Sequence, residues 1–261
     1  DEGKVKVVID SPSKITIHHG WTEMGQGVFT MAVQFLCEAT GISPEIISVK
    51  VDTSKEAPAG MTTASRGTSI IGNSVLDAGS KIKADLETHS LAELVGREYE
   101  GEWICDWTTS LASNTDDPET HYSYSYATQV VTLDDSGQID TVFAAHDAGR
   151  IINPVLFEGQ LEGSVHMGLG YALSENFEMQ EGRPKHTRLG KLGMIRAAST
   201  PQIEVIGIEE ADEFGPCGAK GVGEIGLVPT ASAVSNAFFQ YNGERQYELP
   251  LKKMSPRSDA S

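Results

Sequence analysis

The chain is short of cysteine. Cys37, Cys105 and Cys217 are odd in number, far apart and form no CxxC pair. That argues against a disulfide framework and a structural zinc site, and a reducing cytoplasm is the expected location. Positive charge is also scarce, with 20 Lys and Arg against 37 Asp and Glu and a net charge of −17. Nucleic acid and anionic membrane surfaces both call for a basic face, so neither is expected as a partner. Several catalytic signatures are missing as well. No Gly-x-Ser-x-Gly elbow supports serine hydrolysis. The hydroxyl-rich loop at Gly60–Ser69 lacks the Gly-Lys-Ser/Thr order of a P-loop. The adjacent His18 and His19 point to opposite faces of a strand, and His146 and His166 lack HExxH or facial-triad spacing. All four are read as structural or cofactor-shell residues, and no protein metal ligand is expected. The sequence opens Asp1-Glu-Gly-Lys-Val without an initiator Met or a basic-then-apolar leader. It is expected to be a piece of a longer gene product.

What is present is ordinary globular material, 39% hydrophobic and 22% charged over 261 residues. That length suits one large core or two domains of about 130 residues each. Lys4 to Ile9 and Lys14 to His18 read as strands around the turn Asp10–Ser13. After the glycine-rich loop Gly20–Gly27, apolar residues at Val28, Met31, Val33, Phe35, Leu36 and Ala39 predict a helix from Val28 to Thr40, closed by Gly41. Ile46 to Val51 alternates as a strand, the loop Thr53–Gly67 follows, and a helix is expected from Ser74 to about Val95.

A second unit repeats the plan. Tyr122 to Leu133 and Gln138 to His146 predict a hairpin around Asp134–Gly137, and the loop Asp147–Gln160 leads to an apolar segment, Leu161 to Leu173. Gly25-Gln26-Gly27 and Gly159-Gln160 occupy matching places, an internal repeat of topology and not of residue identity. The polar stretch from about Gly101 to Thr120 is expected to connect the units, 1–110 and 111–261. The uncharged segment Ile225–Gly243 is long enough for a membrane span, but Pro229, Thr230, Ser232, Ser235 and Asn236 favour a buried helix.

Four loops stand out as chemistry. In Gly218-Ala-Lys-Gly-Val-Gly-Glu224-Ile-Gly226, four glycines surround one carboxylate. A Glu held there just before an apolar segment is expected to be poorly solvated, which suits a general base; a solvated Glu in a turn is the plain alternative. Gln26 and Gln160 are each expected at a loop-to-helix junction, where an amide suits a heterocycle or an oxo group, or simply caps its own helix. The loop Gly60–Ser69 can offer backbone amides and hydroxyls to a phosphate, or be an exposed Ser/Thr loop. Glu23 and Glu224 are candidates for a carboxylate pair, at a distance the sequence does not give.

Together these loops resemble the molybdenum-binding subunit of the xanthine dehydrogenase/aldehyde oxidase family, in that family's order. His18-His-Gly-Trp-Thr-Glu-Met-Gly-Gln-Gly27 resembles its HGGTEMGQG loop, with Trp21 in place of a Gly. Thr62-Thr-Ala-Ser-Arg-Gly67 resembles its small-residue cofactor loop, and Asp147-Ala-Gly-Arg-Ile-Ile-Asn-Pro154 with Gly159-Gln160 resembles its DxGxxxNP…GQxEG segment. Ala219 to Glu224 resembles its catalytic-glutamate loop. The resemblance implies an α+β fold of two intertwined β-β-α-β units, with mixed sheets and helices packed on one face. It implies Glu224 as general base. It implies Gly25, Gln26, Gly27, Thr63, Ala64, Ser65, Arg66, Gly67, Gln160, Lys220, Gly221, Val222 and Gly223 as cofactor-binding residues.

The implied cofactor is molybdopterin, its molybdenum carrying a sulfido or selenido ligand and its pterin in mononucleotide or cytosine dinucleotide form. The dithiolene holds the metal, so no protein ligand cluster is needed. The family's N-terminal half, with its GGGFGG-type and arginine-bearing loops, is not found here, so a fragment inactive on its own is expected, with that half as partner. Iron–sulfur clusters and FAD are expected only on partner subunits, since no ferredoxin-like cysteine spacing is present. Trp21, the Ala64-Ser-Arg-Gly loop and the form of the Glu224 loop are most similar to bacterial, selenium-associated xanthine dehydrogenases. The implied reaction is hydroxylation of a purine such as xanthine with water as oxygen source. Aldehyde or carbon monoxide oxidation is the alternative on the same scaffold, and a non-catalytic, cofactor-free assembly module is the alternative outside the enzymes.

Overall fold

The computed structural model describes residues 1–51, 60–110 and 112–252; most of the Thr53–Gly67 loop's first half lies outside them. The first sheet follows from alternation. In β1 (Glu2–Ser11) the odd-numbered residues Val5, Val7 and Ile9 are buried, while Lys4 and Lys6 face outward with Glu98, Glu100 and Glu102 of β4 (Glu98–Ile104). One face is therefore a solvated ladder of ion pairs and the other a core. β1 pairs antiparallel with β2 (Lys14–His19) and with β4, and β2 pairs parallel with β3 (Ile47–Val51), in the order β3-β2-β1-β4. The crossover from β2 to β3 is α1 (Val28–Thr40), with the predicted limits and the predicted Gly41 cap at φ 74°.

The second long helix, α2 (Gly67–Leu86), starts seven residues before the expected Ser74 and ends well short of Val95. Gly67-Thr-Ser-Ile-Ile-Gly-Asn73 has poor helix propensity, but tertiary packing overrides it. Ile70, Ile71, Val75, Ala78 and Ile82 are all buried against the sheet. The approach is close: a Cβ on Gly101 of β4 would stand 1.9 Å from the Ser74 carbonyl oxygen. The second half of β4, from Gly101 to Ile104, lies in the stretch read as a connection.

The second sheet repeats the first. β5 (Ala127–Leu133) and β6 (Ile139–Asp147) form the expected hairpin, and β6 pairs parallel with β9 (Gln202–Ile208) after α3 (Pro154–Leu173) crosses over. A minimal ribbon, β7 (Met179–Gln180) with β8 (Arg183–Pro184), lies between. α4 (Thr230–Asn242) packs on β5, and Val131, Val142, Ala144, Val165, Leu169, Val234 and Phe238 share its core. Both sheets are thus β-β-α-β units with the same order of pairing, antiparallel then parallel, which is the expected α+β architecture.

A single boundary after residue 110 does not describe the chain. One compact unit comprises Asp1–Ser125, Ala148–Leu156 and Glu209–Gly221, and the other Tyr126–Asp147, Phe157–Ile208 and Val222–Ser261. Two short returns of chain complete the first unit because Ile152, Cys217 and Ala219 join its core. Among the described residues no helix is long and apolar enough to cross a membrane.

Candidate cofactor site

In the first unit the loop after β2 is built around Glu23. Its carboxylate accepts from the backbone N–H groups of Gly25 (2.7 Å), Gly27 (3.0 Å) and Phe29 (3.1 Å). Burial acts to raise its pKa, but bonds from Gly27, Phe29, Gly25 and Val28 outweigh this and hold it below the usual carboxylate range. Glu23 therefore anchors the N-terminus of α1, where a negative charge is favoured. The amide of Gln26 is turned onto the same loop: Oε1 accepts from Met24 N (2.6 Å) and Nε2 donates to Thr22 O (2.8 Å). That leaves one N–H and one lone pair for a ligand. Gly25 has φ 109° and open space where a Cβ would be, and a Cβ on Gly27 would meet the Leu156 side chain at 2.6 Å.

The next loop precedes α2. Ala64 (φ 58°) and Ser65 (φ 52°) are both left-handed, a conformation costing a non-glycine roughly 1–2 kcal/mol each. Arg66 follows in the right-handed region and gives no side-chain cap to α2, whose first turn carries no acid. Mixed-hand backbone before an uncapped helix N-terminus offers N–H groups to an anion, so the residues present fit a pterin phosphate. The Arg66 side chain is occupied elsewhere. It donates to Met61 O and the Asp1 carboxylate and lies over the Trp21 ring, 5.3 Å from its centroid. Trp21 is buried (1% exposed), so it braces this loop from below where the family loop has a glycine.

Two further segments meet these. Lys220 N donates to Ala148 O (2.8 Å) and Arg150 N to Gly218 O (2.9 Å). Asn153 Oδ1 accepts from Leu156 N (3.0 Å), and its Nδ2 donates to Gln34 Oε1 (3.0 Å). A Cβ on Gly221 would lie 1.5 Å from the Ser65 carbonyl oxygen, so the 60–67 loop rests directly on Gly221. The first unit thereby unites Gly25–Gly27 (through Leu156), Thr63–Gly67, the 148–156 return and Lys220-Gly221.

The second unit takes the rest. Gln160 is not at a loop-to-helix junction but inside α3, because Pro154 opens that helix and Asn153 caps it. The Gln160 carbonyl accepts from Ser164 Oγ (2.8 Å), and Ser164 Oγ would be 1.9 Å from a Cβ on Gly226. Val222, Gly223 and Glu224 open the last segment of this unit, and the boundary falls between Gly221 and Val222. Glu224 is exposed, which corrects the expectation of poor solvation. The chain turns inward only at Gly226, leaving the glycine-flanked carboxylate on the surface. The sequence reading passes over Gln129 and takes His146 only as a structural or cofactor-shell residue; both are buried beside this turn. A signal for them exists: Gln129 is a polar residue on the face of β5 that Val131 marks as buried.

Residues 1–201 match the family described as molybdopterin cofactor-binding domain. The chain is 27% identical over 281 residues to a probable xanthine dehydrogenase component of Bacillus subtilis, covering 95% of this chain and 38% of that protein. Among solved structures it is similar to the aldehyde oxidoreductase of Desulfovibrio gigas, with a TM-score of 0.82, 26% identity and coverage of 96% of this chain and 29% of that one. The carbon monoxide dehydrogenase of Oligotropha carboxidovorans shares the fold, with a TM-score of 0.74, 23% identity and coverage of 93% and 35%. The fold and the family match together define a molybdopterin cofactor-binding domain. The chain belongs to the molybdopterin cofactor-binding domain family, and it spans 29 to 38% of the length of these relatives.

Proposed function

We propose that the chain is the cofactor-cradling part of a molybdenum hydroxylase that hydroxylates a purine such as xanthine, with water as oxygen source and Glu224 as general base. The observation that carries this reading is the union, in one unit, of the Thr63–Gly67 loop with Gly221 at the foot of the glutamate loop. When bound, molybdopterin supplies the two-electron oxidation. The chain supplies the rest. Backbone N–H groups of Thr63 to Gly67 bind the pterin phosphate; those of Gly221 to Gly223 bind the pterin, which needs no side chain at the glycines, and Lys220, whose own N–H is taken by the Ala148 carbonyl, holds that segment in place. Gln26 and Gln160 orient the cofactor through amide hydrogen bonds, and Glu224, exposed to substrate, takes the proton from the attacking oxygen.

The form of the Trp21, Ala64–Gly67 and Gly218–Gly226 loops favours the purine and a selenido or sulfido ligand, and the name of the Bacillus relative favours the purine. Aldehyde or carbon monoxide oxidation is the second reading, and the likeness to the Desulfovibrio enzyme favours the aldehyde within it. An N-terminal half and separate iron–sulfur and flavin subunits complete the enzyme in this account. In the complete molybdenum subunit with its partners, Glu224→Gln is expected to lower xanthine turnover on the order of 10²–10⁴-fold while molybdenum and pterin content stay unchanged. Retained turnover would remove Glu224 from the base role.

A further inference from the structure

The turn that carries Glu224 is tied down at one atom. The buried carbonyl oxygen of Gly226, two residues past the carboxylate, accepts from Gln129 Nε2 on β5 (2.7 Å) and from Thr230 Oγ1 at the start of α4 (3.0 Å). Both donors are buried, Gln129 at 9% exposure and Thr230 at 0%. Ser164 of α3 closes on Gly226 from another side, near enough that no side chain fits there.

The amide of Gln129 has one orientation that serves. A carbonyl only accepts, so the atom 2.7 Å from Gly226 O is the amide nitrogen. Its other hydrogen points toward His146 Nε2 on β6, 3.2 Å away, in a diagonal cross-strand pair on the same face. An amide nitrogen cannot accept, so His146 Nε2 must be the unprotonated nitrogen of a neutral ring with its proton on Nδ1. Burial favours that neutral form, lowering the pKa of His146. The arrangement leaves Gln129 Oε1 and His146 Nδ1 buried without partners among the described residues. Apolar side chains of the same volume would avoid that desolvation, so stability alone does not account for this pair.

We propose that Gln129, held by His146, is a positioning residue for Glu224, fixing the Gly226 carbonyl and with it the turn that presents the carboxylate. The proposal rests on Glu224 being the general base. Its test is Gln129→Met in the complete, cofactor-loaded subunit, which keeps volume and removes both donors. Two readouts are taken beside Glu224→Gln: steady-state kinetics, and amide hydrogen exchange over residues 223–228.

Exchange over 223–228 is expected to quicken at least tenfold while α4 stays protected, and kcat to fall on the order of 10²-fold with KM and pterin content unchanged. Unchanged exchange at 223–228 overturns the proposal, and so does faster exchange with an unchanged kcat. If Gln129→Met does not fold, Gln129→Asn, which keeps the amide but falls short of Gly226, is read by the same criteria. Should Glu224→Gln retain full turnover, the base assignment fails, and the exchange data still report whether Gln129 holds the turn.

Discussion

Replacing Gly221 with Ala tests the contact on which the cofactor cradle rests. The added Cβ would lie 1.5 Å from the Ser65 carbonyl oxygen, 2.6 Å from its carbon and 3.2 Å from Ser65 Cβ. The obstructing atom is backbone, so no rotamer change relieves it, and the loop must retreat by roughly 2 Å to reach van der Waals contact. That loop has little slack. Ala64 and Ser65 are left-handed, and Arg66 is fixed by Met61, Asp1 and the Trp21 ring.

Overpacking costs typically 1–3 kcal/mol, and a backbone clash belongs at the upper end, about 3 kcal/mol. At about 2–4 °C per kcal/mol for a protein of this size, the melting temperature should fall by about 6–12 °C. Gly163→Ala is the control. Nothing lies within 4 Å of that Cβ on the exposed side of α3, and about 0.5–1 kcal/mol of stabilisation is expected. The assay is thermal unfolding of the chain, with pterin content of the complete subunit measured alongside. If Gly221→Ala melts with wild type and retains its pterin, the 60–67 loop does not rest on Gly221 as described.

Acid should destabilise the protein through His19. Its ring is fully buried, and burial lowers its pKa to about 4 despite the opposing pull of the Glu23 charge. The unfolded chain takes up the proton as pH falls through about 6.5 while the native state resists, so stability is whole above that value and erodes toward about 4, by up to about 3 kcal/mol. Urea midpoints against pH should show a shallower slope in His19→Asn, whose amide oxygen can replace Nδ1 as acceptor from Trp21 N; equal slopes would contradict this.

Glu23→Ala removes the acceptor of three N–H groups at the start of α1 and should cost about 1–2 kcal/mol near neutrality. Because the Glu23 carboxyl is held below its ordinary range, its contribution is present above the unfolded value and lost as pH falls through the folded one. The gap between wild type and Glu23→Ala in urea midpoint should therefore close in acid.

The elements that carry a strong local signal were legible. α1 has a clean apolar stripe and a glycine stop, so both ends could be placed. The β-β-α-β repeat was visible because a hairpin turn, a loop and an apolar helical segment recur in the same order. Where packing outweighed local preference, the sequence misled. Residues 67–73 look like loop and form helix because Gly101 lets α2 settle on β4, and β4 was hidden in a polar stretch whose alternate residues, Tyr99 and Gly101, are its buried face. Gln160 lies away from its expected junction because Pro154 starts the helix before the apolar run begins.

At the site, the glycine loops were readable as places for close backbone approach, and Gly221 against Ser65 gives that reading a physical form. Solvation of Glu224 was not readable, since it depends on where the following segment turns inward. The Gln129–Gly226 bond joins residues 97 positions apart and leaves no local trace.

The central claim is that this chain cradles molybdopterin. Its most direct test is the molybdenum and pterin content of the complete subunit, purified from molybdenum-replete cells. Stoichiometric molybdenum and pterin, both lost together in Gly221→Ala, is the predicted result. A complete, folded subunit that binds neither would contradict the account and leave the chain a cofactor-free assembly module.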